Sequence, residues 1–210
     1  MGLDIYIRKG KKNRAAGVPI SKAYDNFEKD ASEKYFNALR RFNPKRFKTE
    51  QSALKKFIKL FKKYDAHLYK YEYYDEKERC WKLNFTTLED VKKYIEETLA
   101  KKDDFYTRDD LYYRKVNFLY AFFPTVEHEM AWITKGDAQR LVDKCDEVLA
   151  LDKDNLQNAE NILPTISGFF FGSTDYDKYY KSDVKEVRRD FSKLLKKWDD
   201  DEIAIIYFSW

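Results

Sequence analysis

The chain has 210 residues, with 41 Lys or Arg against 37 Asp or Glu (formal net charge +4) and with 17 Tyr, 16 Phe and 4 Trp. So much bulky apolar matter excludes a disordered chain, and only 6 Gly and 4 Pro exclude collagen-like or low-complexity material. The longest apolar runs, "FLYAFFP" and "IAIIYFSW", fall far short of the roughly 20 residues that a membrane-spanning helix needs.

The start "MGLDIY" lacks the hydrophobic run of a secretory signal and carries Tyr6 where myristoylation wants Ser or Thr. A cytoplasmic protein without membrane contact is expected, with Cys80 and Cys145 as reduced, buried thiols. Residues 3–7, "LDIYI", and 203–208, "IAIIYF", are β-prone runs at the two ends, and pairing them in one sheet would close a domain. The expected fold class is α+β: a helix-rich domain from residues 1–8 and 106–210, holding a small sheet that pairs the first and last strands. Residues 9–105 form a basic, aromatic-rich insertion of helix, β-hairpin and helix.

Charge is segregated within that insertion. From Lys34 to Lys63 eleven Lys or Arg face one acid, Glu50, so this segment is net +10 and the remainder net −6. Leu54, Phe57, Ile58, Phe61 and Tyr64 recur at helical spacing, and Lys55, Lys56, Lys59, Lys62 and Lys63 take the other side, which predicts an amphipathic helix ending near Asp65. The stretch 67–86 predicts a hairpin with "DEKE" as its turn, placing Tyr69, Tyr71 and Tyr73 opposite Trp81, Leu83 and Phe85. A Thr-x-x-Asp box, Thr87 with Asp90, opens a second helix along Leu88, Val91, Ile95 and Leu99.

After "KKDDFYTRDD", Asp109 can cap a helix that runs through Phe123 and stops at Pro124. A further helix is expected over Asp137–Leu149, with Leu141, Val142, Cys145, Val148 and Leu149 on one face. "GFFFGSTDYDKYY" (168–180) follows, then a helix to about Trp198 that buries Val184, Val187, Phe191, Leu194 and Leu195. A β-prone run that breaks at Gly172 and enters a helix through Ser-Thr could offer backbone N–H groups to a phosphate. Yet no Walker pattern is present, and Asp175 and Asp177 would repel an anion there. A Thr174–Asp177 capping box is the stronger reading, and the Phe169–Phe171 run is expected to join or abut the sheet.

"MGLD", "YYRKVNFLYAFF" (112–123), "LPTISGFFFGSTDYDKYY" (163–180) and the terminal "SW" resemble a family of uncharacterised phage and prophage proteins. Its members begin MGLDMYL, carry a Y-W-R-K-x-N-x-I-H-x-W-F-like helix and an LPxxSGFFFGSxxYDxYY motif, and end in a strand with Ser-Trp. The likeness covers about 110 residues at both ends and not the insertion; it implies no established activity. The helix motif maps onto Tyr112, Arg114, Lys115, Asn117 and Phe123, with Tyr113 for the family's Trp and Tyr120 for its His. A phenol with a pKa near 10 is a poor base at neutral pH, so a general-base role for that position would be lost here.

No catalytic motif emerges. "HEMAW" from His128 lacks the second His of a zinc helix, Ser167 lacks the glycine of a nucleophile elbow, and the paired acids read as caps or solvated turns. No metal or cofactor is expected, and the chain reads as a non-enzymatic binding protein. On a helical 109–123, Tyr113, Asn117 and Tyr120 would share a face. With Arg114, Ser173, Tyr176 and Tyr180 they could hold a nucleotide-like ligand, bound or, in a small enzyme, turned over. The second binding surface is macromolecular: Arg40, Arg41, Lys45, Arg46, Phe47, Lys55, Lys59 and Lys62 could dock on an acidic host protein or, less favoured, on nucleic acid. Lysines offer point charges without an arginine fork for reading bases. In a phage context either mode could serve counter-defence.

Overall fold

The computed structural model describes residues 2–64, 72–75, 80–83, 85–100 and 110–210, and the side chains of 62–64, 72–75, 80–83 and Lys153 lie outside that description. The fold is α+β, and the chain divides into two compact units, 1–27 with 109–210, and 28–108.

In the first unit β1 (Asp4–Lys11) and β6 (Glu202–Ser209) pair antiparallel along their whole length, from Asp4 opposite Ser209 to Lys11 opposite Glu202. The first and last strands thus lie side by side at the centre of a sheet ordered β4-β1-β6-β5, with β4 (Leu111–Arg114) and β5 (Met130–Ile133) at the edges. Side chains alternate across the sheet. Ile5, Ile7, Tyr113, Ala131, Ile133, Ala204, Ile206 and Phe208 are buried in the core that includes α6 (Lys135–Leu149) and α7 (Lys178–Leu195). On the opposite face Met130 and Ile205 pack with Ile20, Ala23 and Phe27, from the first turns of α2 (Ile20–Arg41), which follows the single turn α1 (Lys12–Ala15). Gly10 is needed there, because a Cβ on it would lie 2.2 Å from the Phe27 ring. β1 runs to Lys11 and so continues past the expected boundary at residue 8.

The second unit takes α2 from Glu28 onward, α3 (Glu50–Tyr64), the hairpin β2 (Glu72–Asp75) and β3 (Cys80–Leu83), and α4 (Leu88–Ala100). Its core is aromatic. Phe57, Phe61, Phe85 and Tyr94 meet edge to face at 5.2–6.0 Å, a favoured geometry for ring quadrupoles. The hydroxyls of Tyr35 and Tyr94 share a hydrogen bond of 2.7 Å in the interior. α2 gives way to Asn43-Pro44, where the Asn43 side chain accepts the Lys45 N–H. The Thr87–Asp90 box forms reciprocally. Hydrogen bonds to the Asp90 carboxyl, from the Thr87 side chain first and then from the Thr87 and Thr86 N–H groups, hold it below its ordinary pKa.

Several expectations are corrected. Residues 111–114 are an edge strand rather than part of a helix, because they pair with β1 from Ile7 opposite Leu111 to Asp4 opposite Arg114. The chain then turns through Lys115 (φ 60) into a short helix, α5 (Phe118–Phe122), while the expected cap Asp109 lies outside the described residues. In the hairpin Tyr74, not Tyr73, stands opposite Trp81; Tyr69, Tyr71 and turn residues 76–79 lie outside the described residues. The Phe169–Phe171 run abuts the sheet without joining it, through Leu3 N–H donating to the Phe170 carbonyl at 3.2 Å.

Candidate functional site

The stretch from Leu163 to Tyr180 is built by local rules. The Phe171 N–H donates to the Gly168 carbonyl at 3.1 Å and closes a four-residue turn. Phe170, the third residue of that turn, is left-handed (φ 74), whereas Phe169 is not. This is the pattern of a type II turn, in which the third position favours glycine. Gly168 leaves room for the Phe171 ring, 2.7 Å from where its Cβ would stand, and Gly172 is itself left-handed (φ 97) against Lys115. Phe171 is the buried anchor, in edge contact with Tyr120 at 5.4 Å and Trp210 at 5.3 Å. Phe169 and Phe170 face outward, 83% and 41% exposed, their rings 4.3 Å apart.

Beyond the turn, Asp177 is itself the N-cap of α7, accepting the N–H groups of Tyr179 at 2.8 Å and Tyr180 at 3.0 Å. The expected Thr174–Asp177 box is therefore displaced, since Asp177 stands outside the helix rather than at its third residue. The Thr174 carbonyl accepts instead from Thr165 Oγ1. A carboxylate on the first free amides of α7 occupies the place a phosphate would take.

Of the seven residues considered for a small ligand, Asn117 meets Ser173 and the rings of Tyr176 and Tyr180 lie 5.0 Å apart, while Tyr113 and Arg114 project from opposite faces of one strand. Tyr113 is buried against the helices, its hydroxyl without a hydrogen-bond partner among the described residues, and burial pushes its pKa up. Arg114 projects from the opposite face of the same strand, 3.8 Å from Asp4. Asn117 is buried and donates to the Ser173 carbonyl at 2.9 Å. Tyr120 donates to Glu129 Oε2 at 3.1 Å, and the Tyr176 hydroxyl accepts the Thr165 N–H at 3.0 Å. The buried Tyr180 donates to the Leu163 carbonyl at 2.7 Å, and Ser173 Oγ donates to Asp175. Together these bonds fasten the 163–180 segment. Beside it opens a polar cleft of about 500 Å³, lined by Gln157, Glu160, Thr165, Ser167, Thr174, Asp175 and Tyr176. Its ionisable lining is acidic.

The basic segment has a different character. Arg40, Arg41, Lys45, Arg46, Lys48, Lys55, Lys56 and Lys59 are exposed, and none is in an ion pair among the described residues. Lys62 lies on α3 with its side chain outside the description. Several cations of the first unit are matched: Lys9 with Glu202, Lys11 with Asp199 and Asp201, Lys135 with Asp200, Arg188 with Asp146. Phe47 is half-buried and stacked on Phe42 at 6.1 Å, and Phe42 in turn packs against the core, meeting Phe57 at 5.2 Å.

Among the described residues no group of three or more His, Cys, Asp or Glu is placed to hold a metal ion, and no helix is long and apolar enough to cross a membrane. Cys145 is buried, which pushes its thiol up to about 12; Cys80 lies among the side chains outside the description. No protein-family model matches the chain, and no curated protein and no solved structure is detectably similar to it.

Proposed function

We propose that this is a binding protein that acts without turnover, and that the basic unit docks it on an acidic surface of a host protein. The carrying observation is the set of eight exposed Lys and Arg side chains with no ion-pair partner among the described residues. Fields of one sign speed the encounter with an oppositely charged surface and reject like-charged ones. Five of the seven candidate small-ligand groups, Asn117, Tyr120, Ser173, Tyr176 and Tyr180, are hydrogen-bonded within the protein, which weighs against sequestration of a nucleotide-like molecule. The likeness to phage proteins suggests counter-defence as the setting.

Nucleic acid is the second reading, because a backbone is also a polyanion. Stacking on single strands would draw on Phe42 and Phe47, and Phe42 is packed against the core with Phe47 stacked on it, which favours the protein partner. The test is binding to random duplex DNA, to oligo(dT) and to host lysate, each at low and physiological salt. On duplex DNA each neutralised phosphate contributes about −0.9 to the logarithmic salt slope. A protein captured from lysate, reconstituted pure, and lost on Lys55→Glu/Lys59→Glu supports the proposal. Steep DNA binding replaces it with the second reading. No binding in any arm, with function unchanged by the charge reversal, overturns both.

A further inference from the structure

We propose that the outer edge of β4 pairs antiparallel with the same edge of a second copy of the chain, joining two sheets into one. Backbone hydrogen bonds define that edge. In an antiparallel ladder, successive residues alternate between turning N–H and C=O toward the partner strand and turning them away. Lys115 N–H donates to the Leu3 carbonyl at 2.7 Å, so Leu3 and Lys115 are a bonded pair, and so in turn are Ile5 with Tyr113 and Ile7 with Leu111. Tyr112 and Arg114 therefore turn their N–H and C=O groups outward, where no partner stands among the described residues. The opposite edge of the sheet is closed at its start. There Met130 N–H donates to the Glu127 carbonyl at 2.9 Å, and the Met130 carbonyl accepts the Val126 N–H at 2.8 Å. An open row of backbone donors and acceptors is a template for a further strand.

The register selects the occupant. Bonded pairs across the new ladder must join outward-turned residues. With Tyr112 opposite Tyr112 of the second copy, Asp110 of each chain stands opposite Arg114 of the other, so opposite charges meet twice. Sliding the strands until Arg114 faces Arg114 opposes like charges, and the register between the two calls on Val116, beyond the left-handed turn at Lys115 (φ 60). Edge charges ordinarily prevent pairing, but this order of charges favours pairing with itself. The Asp110 carboxylate already accepts the Lys9 N–H at 2.7 Å, and Arg114 Nε lies 3.8 Å from Asp4, which leaves the guanidinium further donors for a second carboxylate. Tyr112, 52% exposed, also ends a row of rings across β6, β1 and β4, with Tyr207 to Tyr6 at 5.9 Å and Tyr6 to Tyr112 at 5.4 Å. Pairing sets an identical row against it and covers the Tyr112 ring. So short a ladder gives a weak, concentration-dependent dimer, since standard interfaces bury about 1,200–2,000 Å².

The full chain is tested by sedimentation equilibrium and by cysteine crosslinking. Wild type is expected to dimerise reversibly with a dissociation constant below about 1 mM. Asp110→Arg and Arg114→Asp each set like charges across the ladder, and each alone is expected to weaken dimerisation by at least about tenfold. Mixed, the two variants regain opposite charges at both positions and should form a heterodimer of near wild-type affinity, a rescue that misfolding cannot imitate. Tyr112→Cys is expected to give a disulfide-linked dimer on mild oxidation, because Cα atoms of a bonded pair stand about 5.5 Å apart, within disulfide reach. Arg114→Cys is not, since its own counterpart lies roughly 13 Å away along the strand. Wild type serves as the control for Cys80 and Cys145. If Asp110→Arg fails to fold because the Lys9 contact is lost, the two cysteine variants decide. The proposal is overturned by a wild-type chain that stays monomeric to about 1 mM, by a dimer that neither charge variant weakens, or by folded variants that do not rescue each other. Crosslinking through Arg114→Cys but not Tyr112→Cys overturns it as well.

Discussion

Glu50 Oε1 accepts the backbone N–H of Leu88 at 2.9 Å, so the one acid of the basic segment caps the start of another helix and neutralises none of its neighbours. Replacing it with Ala leaves an N-terminal amide of α4 without that partner. Glu50→Ala is expected to lower stability by about 1 kcal/mol in chemical denaturation, typical of a lost helix cap. A gain in stability from relieved charge imbalance would refute that role.

Asn117 offers the sharpest separation of a structural role from a ligand role. Its buried amide holds the Ser173 carbonyl. Asn117→Ala is expected to cost about 0.5–1.5 kcal/mol through loss of this part-buried hydrogen bond, measurable on the protein alone. If the melting temperature is unchanged and only a small-molecule affinity falls, the fastening role assigned to it here is wrong.

Stability should fall on the acid side through the threonine–aspartate boxes. Asp137 is held below 3.8 although burial works to raise it, because Thr134 donates to it and Arg140 pairs with it; Asp90 is also lowered. A carboxylate with a depressed folded pKa contributes fully above its unfolded value and loses that contribution as pH falls through the folded one. Melting temperatures should therefore drop below pH 3.8, and Thr134→Ala should flatten the drop while lowering the neutral value. An unaltered acid limb in that variant would contradict the assignment.

On the alkaline side, burial first and the hydrogen bond to Asp4 next push the Tyr112 phenol up to about 12 from 10.0. A raised acid pKa stabilises below its unfolded value and ceases to as pH climbs to the folded one. Difference absorbance should show one phenolate appearing later in wild type than in Asp4→Asn. Coincident titrations would dismiss the pairing.

Cys145, with its thiol pushed up to about 12 by burial, is expected to resist alkylation in the folded protein and to react on unfolding. Peptide mapping after iodoacetamide checks this, and native modification at Cys145 would show an open core.

Much of this architecture is legible in the sequence because the signal is local. The pairing of 3–7 with 203–208, the stripes of α3 and α7 and the Thr87–Asp90 box rest on period and capping alone. The edge strands were hidden for a physical reason. Residues 111–114 place two side chains on each face, too few to display alternation, and the apolar run after them imitates a helix. "MAWI" is covered on both faces, by the helix-packed core on one and by Ile20 and Phe27 on the other, so it carries no alternation. At the candidate site, the partners of Asn117 and Tyr180 are backbone carbonyls, which leave no mark in residue identity.

Placing β1 and β6 together at the sheet's centre sets an order of events during synthesis. Lys9 and Glu202 are separated by 193 positions, so the central ladder cannot close until the last strand has left the ribosome. The 28–108 unit, one continuous stretch of chain, can collapse first, with "LDIYI" waiting as an unpaired strand. A nascent chain arrested before residue 202 would hold a formed basic unit beside an exposed β-edge, the species in which chaperone capture or aggregation is decided.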